Sequence, residues 1–135
     1  MRTLTIGLLI LVVVVGCGGP KTNDAAVGVP TRGIAVFGDK PAAGAILLFH
    51  GSGTGIPPRT SVQTDGKFEV PASGGLAEGV YVVTVEWRIG ADENGDVRKS
   101  IAPDRYTRKE SSPLRATVKP RPDGQCDLGT LAITK

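Results

Sequence analysis

After its first seventeen residues the chain is broken into short runs of strand-forming residues, none long enough for a helix of ordinary length. They are "GIAVF" (Gly33–Phe37), "GAILLFH" (Gly44–His50), "TSVQT" (Thr60–Thr64), "KFEV" (Lys67–Val70), "VYVVTVEW" (Val80–Trp87), "LRATVK" (Leu114–Lys119) and "LGTLAIT" (Leu128–Thr134). Their period is two. Ala45, Leu47 and Phe49 fall on one face of their run. So do Tyr81, Val83, Val85 and Trp87, with Thr84, Glu86 and Arg88 opposite. Leu114, Ala116 and Val118 alternate with Arg115, Thr117 and Lys119 in the same way. Alternation over five to eight residues reads as half-buried strands. The 19 glycines and 10 prolines are spread along the chain, which suits many turns. Asp65-Gly66, set between two of the runs, is a strong hairpin signal. At 135 residues one domain is expected. The pattern predicts an all-β fold, a single antiparallel β-sandwich of about seven strands.

The N-terminus reads as an address. Arg2 supplies a positive charge, and Leu4 to Val15 is an apolar run of about a dozen residues. That is short of the ~20 residues a spanning helix needs. The run closes Val14-Val15-Gly16-Cys17, which resembles the lipobox of bacterial lipoproteins. The resemblance implies a signal peptide over residues 1–16, cleavage before Cys17 and lipidation of its thiol. Several acyl chains, each CH2 worth about 0.8 kcal/mol, would hold the protein durably at a membrane. Gly18 rather than Asp after the cysteine implies, by the same resemblance, the outer membrane or cell surface of the envelope. Residues 17–30, from Cys17 through "GGPKTNDAAVGVP", read as a lipidated N-terminus and flexible tether. Residues 31–135 remain for the folded domain. Lipidation of Cys17 would leave Cys126 unpaired, a small residue near the last strand.

The domain itself resembles the carboxypeptidase regulatory-like domains. Gly33-Ile34-Ala35-Val36-Phe37, then Lys40-Pro41-Ala42-Ala43-Gly44-Ala45 and Phe49, is similar to their opening "G-x-V-x-Y-x-G-K-P-x-x-G-A-x-V-x-F". Thr64-Asp65-Gly66-Lys67-Phe68 is similar to their "T-D-x-x-G-x-F", shortened between Asp65 and Gly66. Gly79-Val80-Tyr81-Val82-Val83-Thr84-Val85 is similar to their "G-x-Y-x-V-x-V". Gly38-Asp39 inverts the usual Asp-Gly of the first turn, and Ala35 replaces a larger aliphatic residue. The resemblance implies a transthyretin-like (prealbumin-like) sandwich and an accessory, non-catalytic role.

The residues point the same way. The only histidine is His50, and one imidazole cannot supply the His2Glu set of a zinc carboxypeptidase. Nor can it supply the several histidines that transthyretin-like hydroxyisourate hydrolases use, and the chain ends Ala-Ile-Thr-Lys instead of in their tetrapeptide. "DENGD" (Asp92–Asp96) begins like a calcium loop, but Val97 and Pro103 stand where that loop needs Gly and Glu. "GSGTG" (Gly51–Gly55) has no Walker lysine and no helix after it. The net charge of +3 is interspersed, so nucleic acid is not an expected partner. No cofactor, metal or catalytic residue is expected.

What remains is an envelope protein held at the membrane through Cys17. Its sandwich would act as a structural or protein-interaction module. The long charged segment Ile89–Pro113 is the expected contact surface, with strand addition at a sheet edge as another route. The alternative is a polysaccharide- or peptidoglycan-binding module. That reading needs an exposed aromatic ring, for which Trp87 and Tyr106 are the candidates.

Overall fold

The computed structural model describes residues 28–53, 55–88, 90, 93–95 and 100–135. Cys17 and residues 1–16, where a signal peptide is expected, lie outside the described residues. The chain folds as two stacked sheets. Strands β1 (Thr31–Phe37), β2 (Lys40–Pro41), β5 (Lys67–Val70) and β8 (Cys126–Ile133) make the first. Strands β3 (Ile46–His50), β4 (Arg59–Ser61), β6 (Gly79–Glu86) and β7 (Arg115–Val118) make the second, in the order β4-β3-β6-β7. The second sheet is antiparallel throughout. In the first, β8 runs parallel to β1 along its whole length, while β5 and β2 share the other edge of β1 in antiparallel pairing. The sandwich is therefore mostly antiparallel, and it has eight strands, because the two-residue β2 is too short to leave a periodic trace.

Period-two burial accounts for the core. Ala45, Leu47 and Phe49 from one run meet Val83, Val85, Ala116 and Val118 on the inner face of the second sheet. Ala35, Phe68, Val70, Leu131 and Ile133 face them from the first. Phe49 and Phe68 meet across the two sheets with ring centroids 6.3 Å apart. Gly33 is required here: a Cβ would sit 2.6 Å from the Phe68 ring.

Two turns show how local signals are used. Gly38 has φ 63° and Asp39 is not at positive φ, the type II′ pattern that a two-residue hairpin favours. The inverted Gly38-Asp39 pair thus closes the first hairpin well. At Asp65-Gly66, Gly66 has φ 88° and its N–H donates to Gln63 O, while Gln63 N–H donates to Lys67 O. A tight turn does form there. The expected hairpin does not extend beyond it: β4 pairs with β3 in one sheet, and β5 with β1 in the other. The turn is a corner that carries the chain between sheets.

The Ile89–Pro113 segment divides in two. Ile101 N–H donates to Trp87 O at 2.8 Å, which ties together the residues that flank the 88–100 segment. Beyond it the chain folds onto the domain. Ala102, Tyr106 and Ser112 are buried, a 3-10 turn spans Asp104–Tyr106, and the Ser112 hydroxyl donates to Val83 O. The expectation of one long surface loop is corrected for residues 101–113. Polar composition there conceals three buried side chains.

The strands give the sandwich two distinct ends. One carries Thr31, Val70 and Cys126, paired side by side, and the start of β6 at Gly79. Gly28 and Val29 dock at this end, Gly28 N–H on Ala72 O and Val29 N–H on Leu76 O. The folded unit thus includes residues 28–30, which the sequence assigned to the tether. The other end carries Phe37, Trp87 and Ile101, with the Phe37 and Trp87 rings edge-to-face at 5.5 Å.

Candidate functional site

The two aromatic residues expected to meet a ligand are both inside. Trp87 is 8% exposed, and its Nε1–H donates to Ala43 O at 3.1 Å. Tyr106 is 2% exposed. Its hydroxyl accepts the Thr134 N–H at 3.0 Å and lies 3.1 Å from Thr134 Oγ1. Arg105 stacks over its ring at 5.0 Å and donates to Thr134 O and Lys135 O, which pins the C-terminal residues. Neither ring offers a face on which a sugar could stack. These two candidates are corrected to core residues. Each is large enough to be the main plug of a loop, and burying its polar atom was possible because a backbone partner stood within reach.

A concavity lies at the opposite end from Trp87. It is an open cleft of about 580 Å3 between the end of β3, the loop of residues 51–58 and the segment of residues 75–81, with Lys109 at its rim. Phe49 and Tyr81 stand edge-to-face in its wall at 6.4 Å, and Tyr81 donates its hydroxyl proton to Ala77 O. Gly51 lets the loop pass over that ring: a Cβ there would be 3.0 Å from Tyr81 Cε1. Ile56, 95% exposed, and Val80, 64% exposed, flank the cleft. Gly-rich backbone before Ile56 and Pro57-Pro58 after it make the loop a protruding tip and not a phosphate cradle.

His50 ends β3 in the cleft, with Nε2 2.8 Å from Thr84 Oγ1. Burial lowers its pKa from the ordinary 6.5, the positive charge of Lys109 lowers it further, and Glu110 opposes both. The imidazole is therefore neutral at neutral pH. Thr84 falls on the outer face of the second sheet, as the alternation predicts, yet is 4% exposed beneath this contact. A neutral imidazole on a buried threonine hydroxyl is a packed hydrogen bond at a strand end, and burial keeps the hydroxyl from a substrate.

Elsewhere, Glu93, Asn94 and Gly95 of the acidic "DENGD" form an exposed turn, while Asp92 and Asp96 lie outside the described residues. Among the described residues, no group of three or more His, Cys, Asp or Glu could hold a metal ion. Cys126 begins β8 as a free, buried thiol, with Sγ 3.8 Å from Thr117 O. Among the described residues, no helix is long and apolar enough to cross a membrane.

Sequence reasoning missed the cleft. It read Tyr81 as one of a row of core residues, which period two supports. The signal that could have set Tyr81 apart is its place two residues after Gly79, where a strand begins and its inner face reaches the rim of the sandwich. No family model matches the chain, and comparison with curated proteins finds no match.

Proposed function

We propose that this is a lipid-anchored protein of the bacterial cell envelope, acylated at Cys17, whose β-sandwich is a non-catalytic structural or protein-interaction module. We assign it to the carboxypeptidase regulatory-like, transthyretin-like class. Positions that carry that resemblance support the assignment, since Gly66 makes a turn and Phe68 sits in the core between the sheets.

One observation carries the reading. The described chain begins at one end of the sandwich, at Gly28, while Trp87 and Ile101, which flank the charged segment 88–100 in sequence, meet at the other end. A module hung from a membrane by the first end holds the second toward whatever lies beyond. The charged residues of that segment suit a polar protein contact better than a glycan, whose expected aromatic partners are buried.

Two measurements test it. Labelled palmitate enters the wild type and not Cys17→Ser; label that persists in the variant rejects the anchor. A photo-crosslinking residue at Glu93, which is exposed, yields a discrete protein adduct in cells, whereas one at Thr130 on β8 does not. Equal yields from both positions, or none from Glu93, reject that segment as the contact surface.

A further inference from the structure

Ile56 and Val80 are two of the three large hydrophobic residues exposed among the described residues, Ile34 being the third. Both flank the same cleft, and the cleft is at the end where the N-terminal segment joins the domain. The junction is direct. A Cβ on Gly28 would fall 2.6 Å from the carbonyl carbon of Gly75, itself a cleft-lining residue.

We infer that this end is a lipid-facing surface, with Ile56 entering the headgroup–acyl boundary of the bilayer to which the chain is anchored. The inference rests on the proposed acylation of Cys17 and adds an orientation to it. Gly28 lies eleven residues after Cys17. A relaxed coil of that length spans roughly 17–20 Å end to end. The eight-residue strands β6 and β8 are each about 27 Å long. A relaxed tether therefore reaches less than the length of the domain. Turning the Trp87 end toward the lipid would stretch the tether to about 27 Å, beyond its relaxed span and about two-thirds of its full extension of about 40 Å, so a relaxed tether favours the Gly28 end beside the bilayer. Apolar side chains held there gain by leaving water, while the same residues at the far end would have no surface to enter. Among the described residues lining the cleft, Lys109 is balanced by the exposed carboxylate of Glu78, so apolar contact and not charge is the main attraction there.

The test uses the full acylated chain reconstituted in phosphatidylethanolamine–phosphatidylglycerol vesicles with brominated acyl chains. Two variants are compared, Ile56→Trp and Asp39→Trp, the latter in the exposed turn at the far end. The signal of Trp87 in the wild type is subtracted from both. Bromine quenching of the new tryptophan about twofold or more stronger in Ile56→Trp than in Asp39→Trp is expected for a tip 5–10 Å into the interface. Equal quenching overturns the inference, and so does quenching absent from both, in which case the cleft faces a protein or a glycan. Palmitate labelling of the same preparation separates the two levels. Label with no preferential quenching rejects the orientation alone, and lack of label rejects the anchor and the orientation together.

Discussion

Tyr106 decides between two views of the charged segment, as a ligand-bearing loop or as part of the core. Its ring is 2% exposed among residues from both sheets, and its hydroxyl holds the Thr134 backbone. Replacing it by Ala removes a ring of a type that buries roughly 150–250 Å2, worth about 4–6 kcal/mol at 25 cal/mol per Å2. Measured truncations of buried aromatics cost about 3–5 kcal/mol, because neighbours relax only partly into the space. A domain of this size has about 5–15 kcal/mol in total. Tyr106→Ala should therefore lower Tm by about 12–40 °C, at roughly 4–8 °C per kcal/mol. Tyr106→Phe keeps the ring and loses only the hydroxyl, a cost of about 0.5–1.5 kcal/mol, because the Thr134 amide is near water and can be solvated. Thermal unfolding followed by far-UV circular dichroism reads both. The fluorescence of Trp87, the chain's one tryptophan, reports independently on the core. A Tyr106→Ala protein within about 1 kcal/mol of wild type would refute the packing argument and return Tyr106 to the list of surface residues.

Two further outcomes follow from the same geometry. The folded-state pKa of His50 lies below its unfolded value of 6.5, so the unfolded chain binds the extra proton first and stability falls as pH drops below 6.5, levelling once the folded imidazole is charged. Denaturant titrations across that range should show the slope in wild type and not in His50→Gln; an identical slope in both would assign it to another group. Gly33→Ala would place a methyl 2.6 Å from the buried Phe68 ring and 2.9 Å from Gly129 O. Overpacking there costs about 1–3 kcal/mol by chemical denaturation, and a neutral effect would mean that β1 and β5 can separate freely.

How much of this was legible depends on the range over which each feature is set. Burial in β3, β5 and β7 followed from alternation, as it did in β6 apart from Thr84, since a strand's two faces are a property of the strand alone. The turn at Gly66 was legible for the same reason. Its sheet membership was not: whether β4 and β5 stay paired depends on β3 and β1 competing for them, and those partners lie far along the chain. Tyr106 was misread because its neighbours Asp104, Arg105, Arg108 and Lys109 are exposed and made the whole segment look solvated. A 3-10 turn can bury one residue in three without any periodic run.

The cleft was the least legible feature, because three separate stretches meet only after both sheets have closed. Ile56 illustrates the point. In the sequence it is an isolated apolar residue before two prolines, as consistent with a small satellite core as with a surface. Its 95% exposure removes the first option. Single exposed hydrophobic residues are ordinary on protein surfaces, and exposure alone would leave Ile56 without meaning. Its place changes that. Ile56, Val80 and Gly28, where the described chain begins, share one end of the sandwich. That end is the one a membrane anchor would present to lipid. The tether's length, more than the hydrophobicity of any one side chain, is what makes the orientation follow, and lengthening the segment between Cys17 and Gly28 should weaken the quenching of Ile56→Trp progressively while leaving the fold intact.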